Sequence, residues 1–202
     1  GMDAAHKIGI LSSIAIGTSL PPNDFYVEGI KDIDSTDFKY ASKLGFSIKH
    51  LAVASLTENE VQLRAHPVLV SSDSYLAGLK GVRNGIEVET DLDGTLHVAG
   101  SGAGQESTAS GLISDLVYLS NVRSNSSINL KKRININIQP IDEMEFKYFF
   151  KIKTLSKDFD LNKIEKIFQK NQVSISAENF DDFYIVIISE SFIENKKDSI
   201  MA

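Results

Sequence analysis

Apolar residues near the start of the chain recur at intervals of three and four, namely Ile8, Leu11, Ile14 and Ala15. This spacing places their side chains on one face of a helix. Gly17 follows shortly after the last of them, and glycine commonly ends a helix because it tolerates left-handed backbone angles. The pattern therefore predicts a first helix from Asp3 to Ile16, with Asp3 and Lys7 in its first turns.

A second, shorter helix is predicted from Thr36 to Leu44, with Ser35 placed to cap its amino end and Gly45 placed to end it. Runs of apolar and β-branched residues predict strands around this helix. They cover residues 25–27, 46–56, 61–70, 85–90 and 95–99. The polar turns TENE and DLDG join two pairs of these strands, and such turns are typical of antiparallel hairpins.

A glycine-rich stretch, GSGAG, separates the last of these strands from a further helix. The apolar positions of that helix fall on one stripe, namely Leu112, Ile113, Leu116 and Leu119. The polar sequence NVRSNSSINLKKR follows and has no helical periodicity. It predicts an exposed linker over residues 121–142 with one edge-like strand at residues 134–138.

Beyond the linker the pattern predicts a strand, a helix and two more strands, at residues 146–155, 160–170, 173–177 and 183–189. This β-α-β-β order is the first two-thirds of a ferredoxin-like unit. The predicted fold class is therefore α+β. We expect residues 1–120 to form a mostly antiparallel sheet covered by helices. We expect residues 143–202 to form an incomplete ferredoxin-like domain, which is either truncated or borrows its edge strand from a partner.

Composition and charge narrow the class of protein. The chain has 202 residues, 42% of them hydrophobic, so it can bury a substantial core. Its net charge of −6 and the lack of a basic face argue against a nucleic-acid partner. The absence of cysteine excludes thiolate metal sites and disulfides, and the four histidines are not spaced as a ligand pair, so no metal site is predicted.

The apolar run over residues 8–20 could be taken for a membrane or export signal. It is too short and too interrupted by polar residues to span a bilayer. Asp3 stands where a signal peptide would carry basic residues. We therefore expect no membrane association and a cytoplasmic location.

Two features are candidates for chemistry, and each also has a purely structural interpretation. Asp3 and Lys7 are four residues apart, a spacing that on helices mostly produces surface ion pairs. In GSGAG, Gly100 and Gly102 match the first two glycines of the dinucleotide fingerprint, but Gln105 stands where the third would be. The stretch is thus either a phosphate-binding loop before a helix or a tight turn that needs glycine for its backbone shape.

Taken in order, several segments resemble the homoserine dehydrogenase family. GMDAAHKIGIL is similar to the family stretch G-x-D-x-x-x-K. The segments FYVEGIKDIDSTDFKYASKLGFSIKHLAVA and EVQLRAHPVLV resemble the middle of its catalytic domain, and GSGAGQESTASGLISDL resembles its closing glycine turn and helix. The resemblance runs from residue 1 to about residue 119 without large gaps.

The resemblance implies an NAD- or NADP-dependent oxidoreductase that reduces L-aspartate 4-semialdehyde to L-homoserine, a step toward threonine, isoleucine and methionine. It implies that Lys7 is the general acid and that Asp3 binds the substrate. Gly104, with Gly102 and Ala103, would form the turn that approaches the cofactor. The resemblance also implies that the nucleotide-binding domain and a monovalent-cation site lie upstream of residue 1, so we predict that the chain alone is inactive.

The carboxy-terminal part resembles an ACT domain, a regulatory module often appended to these enzymes, through KYFFKIKTL, KIEKIFQKNQVSIS and DFYIVIIS. At the effector loop the pattern Asp-x-Pro-Gly-x-Leu is replaced by SKDFDL, with Ser156, Asp158 and Phe159 at the acid, proline and glycine positions. An amino-acid effector and a purely structural role both stay open.

Two functional hypotheses remain. The first is the catalytic and regulatory part of a homoserine dehydrogenase, and the second is a stand-alone small-molecule-binding or dimerisation module in which Asp3 and Lys7 are an ordinary surface pair. Another semialdehyde-handling dehydrogenase ranks below both. Because an open sheet with apolar strands needs cover, we expect a homodimer built on the sheet.

Overall fold

The computed structural model describes residues 1–20, 25–57, 60–122, 136–154, 161–171, 173–180, 184–193 and 197, and every element named below lies within these ranges. The helices are α1 (Met2–Ile16), α2 (Ser35–Lys43), α3 (Gln105–Asn121) and α4 (Leu161–Lys170), with a 3-10 helix at Ile141–Glu143. The strands are β1 (Tyr26–Val27), β2 (Phe46–Leu56), β3 (Glu60–Ser71), β4 (Arg83–Thr90), β5 (Gly94–Ser101), β6 (Asn137–Ile138), β7 (Glu145–Phe146), β8 (Phe149–Lys153), β9 (Ile175–Phe180), β10 (Tyr184–Ser189) and β11 (Phe192–Ile193).

The chain divides into two units. The first contains Gly1–Leu69 together with Leu130–Ala202, and the second contains Val70–Asn129. The first unit therefore combines the amino-terminal and carboxy-terminal parts of the chain. The domain limits at residues 120 and 142 remain a prediction.

Helix α1 buries a stripe of small residues, namely Ala5, Gly9 and Ser12. Small side chains on one face let a helix approach its neighbour closely, and α1 packs against β2. The predicted helix is confirmed, although it begins at Met2 instead of Asp3. Gly17 ends it with a left-handed φ of 74°, and its N–H donates to the carbonyl of Ser13.

Helix α2 begins one residue earlier than the sequence predicts, and it begins with a capping box. Asp34, and not Ser35, is the N-cap, and its carboxylate accepts from the N–H groups of Thr36 at 2.7 Å and Asp37 at 3.1 Å. The Asp37 carboxylate in turn accepts from the Asp34 N–H at 2.8 Å. A carboxylate at N3 accepts a hydrogen bond from the N–H of the N-cap residue three positions earlier. Asp37 is three positions after Asp34, so Asp34 is the N-cap. Gly45 follows the helix with a φ of 81°, as predicted.

Strand β3 is the centre of the sheet in the first unit, and β1, β2 and β6 are all its neighbours. The pairs with β1 and β6 are parallel, with Tyr26 opposite Arg64 and Asn137 opposite Glu60. The prediction of a mostly antiparallel sheet is wrong at these two short pairs. Long segments of chain separate β1 and β6 from β3, and connections of that length permit parallel pairing.

A small apolar core lies between this sheet and α1. Its buried members are Leu20, Val61 and Leu63, and the partly buried residues packed around them are Ile8, Ile16, Phe25, Ile136 and Ile138. Two of these residues, Ile136 and Ile138, come from the segment where the sequence predicts an exposed linker. Burial of their side chains stabilises the attachment of β6 to β3.

Strands β8, β9 and β10 with helix α4 form what we call the C-terminal module. Its sheet has the order β8, β10, β9, and both pairs are antiparallel. The predicted strand-helix-strand-strand order is confirmed, with β8 shorter than predicted and β9 beginning at Ile175. The core of the module consists of Phe150, Ile164, Phe168, Val173, Ile185, Ile187 and Phe192.

Phe146 lies outside the module sheet, although the sequence predicts a strand from residue 146 to 155. It belongs to β7, which pairs in antiparallel fashion with β11 through Phe146 opposite Phe192. Strands of two residues leave no periodic pattern in a sequence, so neither was predicted.

The second unit consists of the β4–β5 hairpin and α3. The hairpin runs in register from Arg83 opposite Ser101 to Thr90 opposite Gly94, and both predicted strands are confirmed with longer bounds. Helix α3 has no buried residue, so its apolar stripe is exposed, with Leu112 63% accessible. Within the described part of the chain, no helix is both long and apolar enough to cross a membrane.

Candidate active site

Asp3 and Lys7 form an ion pair on the first two turns of α1. The Lys7 amine donates to the Asp3 carboxylate, with Nζ 2.7 Å from Oδ2. Both side chains are open to solvent, Lys7 at 58% and Asp3 at 83% of their full exposure. The amine is thus directed at the carboxylate, and an incoming small molecule can reach both groups.

The electrostatics of the pair favour its charged form. The pKa of the Asp3 carboxyl lies below its usual value, chiefly because Lys7 donates a hydrogen bond to it, with the Lys7 charge adding to the effect. Asp3 also lies in the first turn of α1, where the helix dipole favours a negative charge. Exposed pairs of this kind are screened by solvent and contribute little to stability, so the pair is better suited to ligand contact than to holding the fold.

Gly1 packs tightly against the strands that follow α1. A Cβ at this position would lie 2.8 Å from the carbonyl oxygen of Glu28 and 2.9 Å from Cγ1 of Val27. The same Glu28 carbonyl lies 2.8 Å from the His50 Nε2, and the Glu28 carboxylate accepts from the Tyr26 hydroxyl at 2.7 Å. The glycine two residues before Asp3 therefore allows α1 to start against β1 and β2. The glycine is part of the G-x-D-x-x-x-K stretch, but the contact that requires it was not predicted.

The glycine turn lies in the second unit and leads directly into α3. Gly104 is the N-cap of α3, with φ 119° and ψ 147°, a conformation that residues with a side chain rarely adopt. A Cβ on Gly102 would overlap the side-chain amide of Asn84, and the Gly102 N–H donates to the Val82 carbonyl at 2.9 Å. Both glycines thus meet a requirement of the turn itself.

The amino end of α3 is suited to an anion. No side chain caps it, so the backbone N–H groups of its first turn are directed outward. The hydroxyls of Ser107 and Thr108 donate to the Gly104 carbonyl at 3.1 and 2.9 Å, so they point back into the turn. The turn and helix end together have the backbone groups that hold a phosphate in nucleotide-binding proteins.

A second polar cluster lies on β3, on the face opposite Val61 and Leu63. Arg64 Nη1 and His66 Nε2 are buried and have no hydrogen-bond partner among the described residues. Burial lowers the pKa of both side chains. The ring of Phe146 packs against both, 5.2 Å from the guanidinium and 6.0 Å from the imidazole. This cluster was not predicted, although charged and imidazole side chains that alternate within an apolar strand are a signal for one.

A shallow groove of about 510 Å³ runs along α1 beside the ion pair. It is lined by His6, Gly9, Ile10, Ser13, Ile14, Ser19 and Leu20. Asp3 and Lys7 do not line the groove, although Ile10 and Ile14 lie on the same helical stripe as that pair. The effector-loop residues that differ from the ACT pattern lie outside the described residues, namely Ser156, Asp158 and Phe159. Within those residues, no three His, Asp or Glu side chains come together as metal ligands would.

Comparison with known proteins places this geometry in context. The family model described as homoserine dehydrogenase matches residues 1–117. A homoserine dehydrogenase of Pseudomonas aeruginosa is 36% identical over 185 residues, covering 88% of this chain and 43% of the relative. One of Neisseria gonorrhoeae is 32% identical over 185 residues, covering 88% of this chain and 42% of the relative.

Solved structures agree with these relatives. The crystal structure of a homoserine dehydrogenase from Thiobacillus denitrificans superimposes with a TM-score of 0.85 at 29% identity, covering 99% of this chain and 48% of the other. The homoserine dehydrogenase of S. aureus at pH 7.5 has the same fold, with a TM-score of 0.70 at 22% identity, covering all of this chain and 48% of the other. The chain therefore spans slightly less than half the length of the relatives it matches.

Proposed function

Because this chain belongs to the homoserine dehydrogenase family, we propose that it contributes the substrate-binding and proton-transfer groups for the interconversion of L-aspartate 4-semialdehyde and L-homoserine. The observation that carries this proposal is the Lys7 amine, held by a carboxylate at 2.7 Å on an exposed helix face. Reduction of an aldehyde builds negative charge on one oxygen. A positioned ammonium both stabilises that charge and can supply the proton.

Lys7 acts as the general acid in the direction of reduction. Its ammonium donates a proton to the aldehyde oxygen while hydride reaches the carbonyl carbon, which leaves a neutral amine. In the reverse direction the neutral amine takes a proton from the alcohol. The exposure of 58% leaves the amine accessible to a substrate that enters from solvent.

Asp3 binds the substrate and keeps Lys7 ready for transfer. Its lowered pKa keeps the carboxylate charged across the neutral range. The hydrogen bond from the Lys7 amine to this carboxylate, 2.7 Å long, holds the amine in one place on the helix face. The same carboxylate is placed to attract the amino group of an amino-acid substrate.

The glycine turn is the part of this chain that we propose to approach the cofactor, NADP or NAD. The cofactor, when bound, supplies the hydride. Gly102, Ala103 and Gly104 form the turn, and the uncapped amino end of α3 offers backbone N–H groups to a negatively charged group. The exposed apolar stripe of α3 needs cover, and a nucleotide-binding domain of the kind the family uses would supply it.

We assign the C-terminal module to the ACT class. The sheet order β8, β10, β9 with α4 against one face agrees with the β-α-β-β portion of a ferredoxin-like fold. An amino-acid effector is the ligand class that this assignment favours. Isothermal titration with threonine tests it, and a module without heat of binding would be structural only.

We also propose a homodimer built on the sheet. Strand β2 supports this, because it is an edge of the sheet among the described residues and its side chains are half-buried or exposed, so a second copy can cover it. Light scattering at micromolar concentration should give twice the chain mass of 22.2 kDa. A mass near that of one chain for the unmodified protein would contradict the dimer.

Substitution of Lys7 in the complete enzyme tests the proposed reaction. Lys7→Ala should lower kcat by roughly 10²-fold or more and leave the circular dichroism spectrum unchanged. Lys49→Ala, a change at a lysine on β2, is the matched control and should keep kcat. Unchanged turnover in Lys7→Ala would remove the proposed mechanism. The 202-residue polypeptide by itself, assayed with homoserine and NADP, should show no turnover, and turnover would overturn that expectation.

A further inference from the structure

Both faces of the central strand of the C-terminal module are buried. Ile185 and Ile187 point into the module core, where they meet the side chains of α4. Successive side chains of a strand point to opposite faces of the sheet, so Val186 and Ile188 lie on the other face. Val186 is fully buried and Ile188 is 5% exposed. Something other than α4 therefore covers the second face of this sheet.

Helix α2 covers that face. The ring of Tyr184, on the same face as Val186, lies 6.0 Å from the ring of Tyr40, which is fully buried on α2. Lys151 of β8 lies opposite Val186 in the strand register. Its amine reaches the amino end of α2, 2.8 Å from Asp34 Oδ2 and 2.7 Å from Asp37 Oδ1.

The ionic contact is the polar part of this interface. Lys151 is 21% exposed and Asp37 only 8%, whereas Asp34 is more open at 58%. Burial of Lys151 works against its charge, but the hydrogen bonds to Asp34 and Asp37 more than offset this and raise its pKa. The two carboxylates are those of the capping box, so the lysine binds the groups that define the start of α2.

We propose that Lys151 is a positioning residue that couples the C-terminal module to α2, so that a change in the module is transmitted to the helix layer that carries Asp3 and Lys7. Helix α2 and helix α1 both pack against β2, which gives the coupling a continuous path of contacts. The second face of the module sheet is therefore an internal docking surface whose occupant is α2. The coupling between module and helix does not depend on the reaction proposed above.

Hydrogen exchange measured by mass spectrometry on the full chain tests the coupling. Lys151→Met removes the amine and leaves the buried Asp37 carboxylate without its cation. We expect exchange in α2 and β10 to rise together by about tenfold and exchange in α1 to rise with them, with the β4–β5 hairpin unchanged. Lys153→Met is the matched control, because it makes the same change at an exposed lysine two residues along the same strand. Lys151→Arg, which keeps the charge, should retain most of the protection.

A second substitution separates a specific contact from general stabilisation. Asp37→Asn added to Lys151→Met removes the unpaired carboxylate, so we expect it to cancel about half of the excess exchange. The coupling is refuted if exchange in α2 does not rise in Lys151→Met, or if Lys153→Met raises it equally. It is also refuted if the effects of Lys151→Met and Asp37→Asn on exchange simply add. A uniform rise over all segments would also refute it, because Lys151 would then stabilise the whole chain and not this contact.

Discussion

Substituting Gly102 distinguishes the two reasons for a glycine in the turn before α3. In Gly102→Ala the new Cβ overlaps the side-chain amide of Asn84, whereas the turn is held in place by the hydrogen bond from the Gly102 N–H to the Val82 carbonyl. Overpacking of this kind costs about 1 to 3 kcal/mol. The lower half of that range applies here, because the obstacle is the end of a side chain that can rotate and not backbone.

The β4–β5 hairpin offers both a control for this substitution and a second substitution that removes the steric overlap. Gly100→Ala adds a Cβ with nothing within 4 Å, so it should change the free energy of unfolding by less than about 0.5 kcal/mol. Asn84→Ala removes the obstacle, so Gly102→Ala in that background should recover most of its lost stability. Urea denaturation followed by circular dichroism measures all four variants. If Asn84→Ala brings no recovery, the steric explanation is wrong.

The same variants separate stability from cofactor approach. If the bare backbone at Gly102 contacts the cofactor, as proposed, the double variant should recover its stability and still show a raised KM for NADP(H) in the complete enzyme. Recovery of both properties would mean that Gly102 serves the turn only. The chemistry proposed for Gly104 would then need its own support.

Three further outcomes follow from the contacts described. The pKa of Asp34 is lowered to about 2, first by the hydrogen bond from Lys151. The charged Asp34 carboxylate therefore stabilises the fold fully above about pH 4, and this contribution is lost as the pH falls through about 2. The urea midpoints of the unmodified chain and of Lys151→Met should converge over that window. Phe168→Ala should lower the free energy of unfolding by about 3 to 5 kcal/mol, whereas Ile167→Ala, 43% exposed, should cost less than about 1 kcal/mol. The exposed Asp3–Lys7 pair predicts that Lys7→Ala leaves the thermal midpoint unchanged, and a large shift would mean that the pair holds the fold.

Local patterns in the sequence were sufficient for most helices and strands. The helical spacing in α1 and the glycine after it give the bounds almost to the residue, and β2 has the predicted bounds. The N-cap of α2 was misplaced because Ser35 and Asp34 are both good caps, and only the reciprocal bond from Asp37 decides between them. The two parallel pairs were missed because strand direction depends on the path of the chain and not on the composition of the strand.

The local part of the candidate site was predictable from the sequence, and the long-range part was not. Asp3 and Lys7 are neighbours on a helix, so their contact follows from the spacing of four residues alone. The polar cluster of Arg64 and His66 depends on Phe146, which lies far away in the sequence, and no local pattern brings it there. The resemblance to a family identified the first set and was silent on the second.

The sequence also contains a signal for the docking of α2 on the C-terminal module, and this signal did not enter the predictions. The run YIVIIS in β10 is apolar at five consecutive positions, whereas a strand with one solvent-facing side alternates apolar and polar residues. A continuous apolar run predicts a strand buried on both faces. A single helix, α4, can cover only one face of a three-stranded sheet, so a second covering element is required. Two lysines of β8 lie on this face: Lys153 is exposed, whereas Lys151 is mostly buried and pairs with the two carboxylates at the start of α2.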